Sequence, residues 1–468
     1  MKNNSIIKKM IIYFIGTLSS RMLSVLLVPI YAFFVKVEEL GKYDYIIAIV
    51  NIIMPIVYVV IWESILKYFM KDRESNILEK YISTVVVFFS MITIVFILIS
   101  IVIGLYIEDK WMVFWITIFS IVLGALYIWQ FAARALGENK RYVKAGIWGS
   151  AILIICDFLF IVFYKLDFLA LMLANIVSQV FVIVIIEQKI HLLRRVKLNL
   201  YDIKILRMML YFSGPLVINN ISLWAYSSGG RIIIQNTLGA TENGLYSFAS
   251  KFSILINLFS TVISMAVIEE AYSFKTMEEY RIKMTKLIFI ISKAYLGLVL
   301  FALPAIYILY SIVFFNTVYY ISVDYIFLLL MGTLFTALAN NYGSAFQVTN
   351  NTKYISITTI VGAICALGIS LLLVKLVGIY GVLIGNVIGS AVMMLTRAIF
   401  AKKATGLYIS WEKNILYIVL LMVSFLVLFK NKNLIVQIII FIVIFLFLCF
   451  DNRSFLKKYY IKIKRSKK

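Results

Sequence analysis

The chain has little of what soluble enzymes use. In 468 residues there are four prolines, three cysteines and one histidine. So little proline excludes proline-rich linkers and leaves long helical runs with few built-in breaks. Cys156, Cys365 and Cys449 all fall in apolar runs. Their placement excludes a disulfide framework and metal-ligand spacing, and reads as small buried hydrophobes. The lone His191 lies in a basic stretch, away from any nucleophile or second ligand. Acidic residues are also scarce, 22 against 45 Lys and Arg, for a formal charge of +23. No G-x-x-x-x-G-K-[ST] string occurs, so direct use of ATP is excluded. The glycine-containing strings GATENG and SSGG read as turns, not phosphate cradles.

What fills the chain is apolar residues, 63% of the total, against about 45–50% in ordinary soluble domains. A bilayer span needs about 20 mostly apolar residues. Fourteen such runs can be read, at 10–35, 43–66, 81–107, 111–133, 146–164, 168–186, 208–235, 245–268, 288–313, 323–345, 355–374, 379–396, 414–429 and 434–450. The first is too long for the apolar core of a signal peptide. The runs lack the strict alternation of barrel strands. The expected fold is therefore all-α and membrane-embedded, with about 14 helices. With the N-terminus placed inside, 34 of the 45 basic residues fall in inside segments, seven in outside loops and four within spans. That asymmetry supports cytoplasmic termini. It also accounts for the positive charge without nucleic acid, and makes the basic tail after Phe450 an anchor to anionic lipid.

The sequence repeats at a long period. EELGKYDY, with Gly41 and Tyr43, returns as TENGLYSF, with Gly244 and Tyr246, at an offset of 203. ENKRY at Asn139–Tyr142 returns as NNTKY at Asn351–Tyr354, and ALMLANIVS around Asn175 as GVLIGNVIG around Asn386. Six spans separate each pair, so the halves share one topology. Parallel repeats of this kind mark transporters that place substrate between the repeats. The expected organisation is a six-helix lobe at 1–186, a cytoplasmic linker at 187–207, a second six-helix lobe at 208–400, and an extra helix pair with its tail at 401–468.

Against this apolar background the polar residues stand out. Arg21, Arg231 and Lys251 lie inside spans, where a charge costs about 2.5–3.5 kcal/mol on insertion scales. Helical spacing puts Thr17, Ser20, Arg21 and Ser24 on one stripe of the first span. The same spacing aligns Asn220, Trp224, Ser227 and Arg231 on the seventh. The eighth carries Ser247, Lys251, Asn257 and Thr261, and the tenth Thr333, Thr336, Asn340 and Ser344. Two readings compete, interhelical hydrogen bonding and a wet cationic cavity for an anionic cargo. Lys293, near the inner end of its span, reads as snorkelling to headgroups. Asp157 reads as the one carboxylate well inside a span. It either pairs with a base or carries a coupling proton or sodium.

With its span count, six-plus-six duplication, Gly-x-Tyr elements and intramembrane bases, the chain resembles the polysaccharide transporter branch, Wzx-type repeat-unit flippases, of the multidrug/oligosaccharidyl-lipid/polysaccharide exporter superfamily. The resemblance implies two lobes in a V around a central cavity. It implies alternating access that flips an undecaprenyl-diphosphate-linked oligosaccharide, for O-antigen, lipopolysaccharide, capsule or a similar polymer, across the bacterial cytoplasmic membrane. It implies no covalent chemistry and no cofactor. A polysaccharide polymerase and a chain-length regulator are the implied partners. By the same resemblance Arg21, Arg231 and Lys251 meet the diphosphate, while Ser24, Asn220, Trp224, Tyr226, Ser227, Asn257 and Asn340 line the cavity toward sugar. Three alternatives stand beside it: a lipid II-type flippase, a cation-coupled multidrug exporter of the same fold, and a membrane polymerase or acyltransferase. The exporter would call for acidic cavity residues. The enzymes would call for a membrane-level histidine or a large external loop.

Overall fold

The computed structural model describes residues 27–71, 77–274, 276–349, 351, 353–407 and 414–453. Among these residues there are sixteen α-helices and no strand. The first seven are α1 (Leu27–Phe34), α2 (Val37–Val57), α3 (Ile61–Lys71), α4 (Ile77–Tyr106), α5 (Lys110–Ala135), α6 (Asn139–Phe158) and α7 (Asp167–Ile190). Then follow α8 (Ile203–Leu238), α9 (Ala240–Ser273), α10 (Met277–Leu309), α11 (Ile326–Tyr342) and α12 (Ser344–Val348). The last four are α13 (Lys353–Val377), α14 (Ile379–Thr405), α15 (Ile415–Lys430) and α16 (Leu434–Asp451). Every span read from the sequence coincides with helix. The first does so only through α1, because residues 10–26, with Arg21 and Ser24, lie outside the described residues.

Among the described residues ten helical segments are long and apolar enough to cross a bilayer, and α15 is apolar but shorter. The chain is a multi-pass membrane protein. At 36 residues α8 is the longest helix, yet it is not one of the ten. Asn219, Asn220, Ser222, Ser227, Ser228 and Arg231 dilute its apolar character. Its start is fixed by Asp202, whose carboxylate accepts from the N–H groups of Lys204 and Ile205. Such a side chain satisfies donors that the first helical turn leaves open. Asp109 does the same for α5 through Met112, and Thr276 for α10 through Glu279.

The second span is broken where the sequence gives little warning. Between α2 and α3, Val59 and Val60 both hold φ of 51°. β-Branched residues rarely take the left-handed region. Tyr58, fully buried, fills the break; it stacks on Phe89 at 4.9 Å and its hydroxyl meets Thr93 at 3.1 Å.

The chain divides into two compact units. One runs to Ser247 and adds Ser370–Val382; the other holds Phe248–Ile369 and Leu383 onward. In the first, Ile61, Ile65 and Phe69 of α3 pack with Ile82 of α4, Ala132 of α5, Ile186 of α7 and Met209 of α8. The basic segment 187–207 is tied to that core. Its Lys197 and Asp202 N–H groups donate to Ser83 and Thr84, and the Glu187 carboxylate takes the N–H groups of Leu192 and Leu193 and the Trp129 indole. In the second unit, Phe248 packs with Tyr310, Phe314 and Tyr319, and α15 and α16 both lie against α10.

Candidate functional site

Arg231 lies two turns before the end of α8. Its Nε donates to the Asp44 carboxylate of α2, and its Nη1 donates to the Ser227 carbonyl at 2.9 Å. The guanidinium faces the Tyr246 ring at 5.6 Å. Ser247 donates to the same Asp44 oxygen at 2.5 Å. The Arg231 and Asp44 side chains are 20% and 17% exposed. The expected lone cation is thus half of an ion pair. Removing either partner of such a pair leaves a poorly solvated charge behind, which is what makes it costly to break.

The same place brings together residues related by the 203-residue offset. Asp44 and Ser247 are equivalent under the 203-residue offset, as are Gly41 and Gly244, and Val37 and Ala240. A Cβ on Gly41 would sit 1.8 Å from the Ala240 carbonyl oxygen, and one on Gly244 would sit 1.9 Å from that of Val37. Each glycine therefore takes in the backbone of the helix that carries the other. The buried Asn243 seals the contact by donating to the Gly41 carbonyl at 2.8 Å. Only residues without a side chain permit helix backbones to approach this closely. The sequence suggested turns here, but both glycines are helical, in the second turns of α2 and α9. SSGG likewise lies inside α8, not in a turn.

The other expected site residues have these surroundings. The Trp224 indole donates to the Ala48 carbonyl of α2 at 2.6 Å. Asn220 donates within its own helix to Leu216 at 2.9 Å. Tyr226 is half-buried, and Ser227 is exposed. Lys251 is half-buried on α9, and Asn257 is exposed further along it. Asn340 is exposed at its helix surface and accepts from Arg397. Asp157 is fully buried and receives the Tyr31 hydroxyl at 2.7 Å. Among the described residues no group of His, Cys, Asp and Glu is placed to hold a metal.

Three groups escaped sequence reading. Asp44, the second residue of the run at 43–66, drew no notice, because Glu38, Glu39 and Lys42 beside it look solvated. In fact α2 starts at Val37 and carries Asp44 inward. Arg397 was placed one residue past its span. It is 4% exposed, and donates to Thr358 at 3.0 Å, Thr359 at 2.8 Å, Asn340 at 3.1 Å and the Ile355 carbonyl at 3.4 Å. Lys293, read as snorkelling, pairs with Asp451 of α16 at 2.5 Å, where Tyr417 of α15 also donates. The extra helix pair is thus pinned to α10.

The polysaccharide biosynthesis protein family matches residues 6–268, more than half of the chain. The chain belongs to the polysaccharide biosynthesis protein family. Solved structures place this family member in one fold with known transporters. It is similar to the lipid II flippase MurJ in an inward closed conformation, with a TM-score of 0.73 and 16% identity over 95% of this chain and 100% of that one. It is also similar to an inward-facing multidrug resistance transporter of the MATE family and MOP superfamily, with a TM-score of 0.65 and 16% identity over 82% and 94%. No curated protein matches the chain by sequence.

Proposed function

We propose that this protein flips an undecaprenyl-diphosphate-linked oligosaccharide repeat unit, for O-antigen, capsule or a similar surface polysaccharide, across the bacterial cytoplasmic membrane. Both termini face the cytoplasm. Family and fold support a polysaccharide transporter. The observation that carries the choice of an anionic lipid head is the half-buried Arg231 guanidinium, held by an exchangeable carboxylate. A diphosphate offers more oxygens than Asp44 in the same forked geometry, and charge-assisted bidentate contacts are the strong ones. Diphosphate binding at Arg231 takes over the guanidinium and frees Asp44; Arg21 and Lys251 are the other bases assigned to the cargo's charge. Ser24, Asn220, Tyr226, Ser227, Asn257 and Asn340, with the Trp224 ring, offer sugar contacts. Asp157, against Tyr31, is the group for ion coupling.

In this reading the Gly41–Gly244 contact closes the outer side, and losing Asp44 from Arg231 loosens it. Cargo binding and gate closure then compete for one guanidinium, which couples cargo binding to opening. Lobes at 1–186 and 208–400, joined by 187–207, supply the two halves, and 401–468 braces the second. No bond of the cargo breaks, so the protein acts without catalysis.

Native mass spectrometry of the purified protein tests this directly. Undecaprenyl diphosphate should bind more tightly than undecaprenol, and Arg231→Ala should remove that preference. Equal binding of the two lipids by the wild type would end the assignment.

A further inference from the structure

A cavity of about 300 Å³ lies in the first unit where α2, α5 and α7 begin and α8 ends. Its deep wall is aromatic. Trp115, 7% exposed, packs edge-on to Phe114 at 5.3 Å and to Phe168 at 6.2 Å. Trp111, also edge-on to Phe114 at 5.8 Å, stands 70% exposed at the rim.

The polar lining has both hydrogen-bonding senses. Glu39 and Asp109 accept, each with one oxygen already engaged, by Lys42 at 3.1 Å and by the Met112 N–H at 3.0 Å. Gln235 accepts from Asn243 at 3.4 Å through its oxygen, which leaves its amide NH₂ as the donor. Tyr45 donates to Asn236 at 3.3 Å, so its oxygen retains acceptor capacity.

These features select a ligand class. Two carboxylates against one ammonium disfavour a phosphate. An acyl chain would strand the polar rim without partners. A quaternary ammonium would use the rings and carboxylates, but it would leave the Gln235 amide idle and meet Lys42 as a like charge. The volume is at the bottom of the roughly 300–1,000 Å³ range of ligand pockets, enough for one ring. A pyranose has an apolar C–H face for a ring system and hydroxyls that both donate and accept.

We infer that this cavity is a subsite for a single neutral sugar ring, with Trp111 and Trp115 as its aromatic walls and Glu39, Asp109, Lys42 and Gln235 as its polar rim. The inference rests on the transport reading for the source of the sugar, namely the saccharide part of the cargo at the outer side. Gln235 also ties the subsite to the gate, because the Asn243 amide that it accepts from holds the Gly41 carbonyl. A sugar on Gln235 therefore favours the closed contact.

Ligand-observed saturation-transfer NMR on the full-length protein in nanodiscs tests this, with D-glucose, N-acetyl-D-glucosamine and L-rhamnose as probes and sorbitol and choline as controls. At least one ring sugar should show saturable transfer, and Trp111→Ala or Gln235→Ala should weaken its affinity about tenfold. Trp111 is an exposed side chain, so its loss leaves the fold intact. The inference is overturned by transfer to choline alone, by sorbitol matching the rings, by no saturable transfer to any ring, or by no effect of either substitution. Binding is read without transport, so failure of the diphosphate test and failure here are separate results.

Discussion

One methyl group at Gly41 should force the outer contact apart. Its Cβ would lie 1.8 Å from the Ala240 oxygen, where an ordinary contact begins at 3.4 Å, so the backbones must separate by about 1.6 Å. Overpacking of this kind costs about 1–3 kcal/mol. The Asn243–Gly41 and Ser247–Asp44 hydrogen bonds stretch with it, at about 1 kcal/mol each. The total, roughly 3–5 kcal/mol, approaches the 5.5 kcal/mol that moves a two-state equilibrium from 99:1 to 1:99. A cysteine at position 247, in a chain with Cys156, Cys365 and Cys449 replaced by Ser, reports on the contact, because Ser247 is 2% exposed. In the Gly41 parent a membrane-impermeant maleimide should label it slowly from outside. In Gly41→Ala, labelling should be fast and surface polysaccharide should be lost at normal protein level. Unchanged labelling together with normal polysaccharide would refute the gate and the close-packing argument behind it.

Further outcomes follow from other contacts. Arg231→Ala should stop surface polysaccharide assembly without loss of protein, and Arg231→Lys should restore part of it, since charge remains but the fork does not; wild-type output from Arg231→Ala would remove the phosphate role. Arg397→Leu should lower the unfolding temperature in detergent, because it strands buried acceptors at about 1–3 kcal/mol each; an unchanged melting curve would contradict the buried network. Val59→Gly should melt no lower than wild type, since relief of about 1–2 kcal/mol of left-handed strain offsets its lost, partly buried side chain; a fall of several degrees would show that strain to be absent.

Hydropathy made the helices legible. Each of the fourteen runs coincides with helix where described, the second with a break at Tyr58–Val60, and the offset of 203 relates Gly41 and Gly244, which touch. The break at Val59 was hidden because a run of β-branched residues carries no local signal for a left-handed backbone. Asp44 and Arg397 were hidden by a shared cause: each falls at the edge of an apolar run, where a charge looks solvated, whereas the helices continue and hold those charges against distant partners. Pairings such as Arg231 with Asp44, 187 residues apart, leave no local mark. Arg231 alone therefore looked like an open cationic surface when its geometry is that of a neutralised pair.

The most direct test of cargo movement uses sealed proteoliposomes with undecaprenyl-diphosphate-linked oligosaccharide in the inner leaflet and an impermeant glycosidase outside. Protein-dependent cleavage of more than the outer-leaflet share, absent with Arg231→Ala, is the expected result. Cleavage that stops at the outer-leaflet share with wild-type protein, under each imposed proton and sodium gradient, would contradict the account.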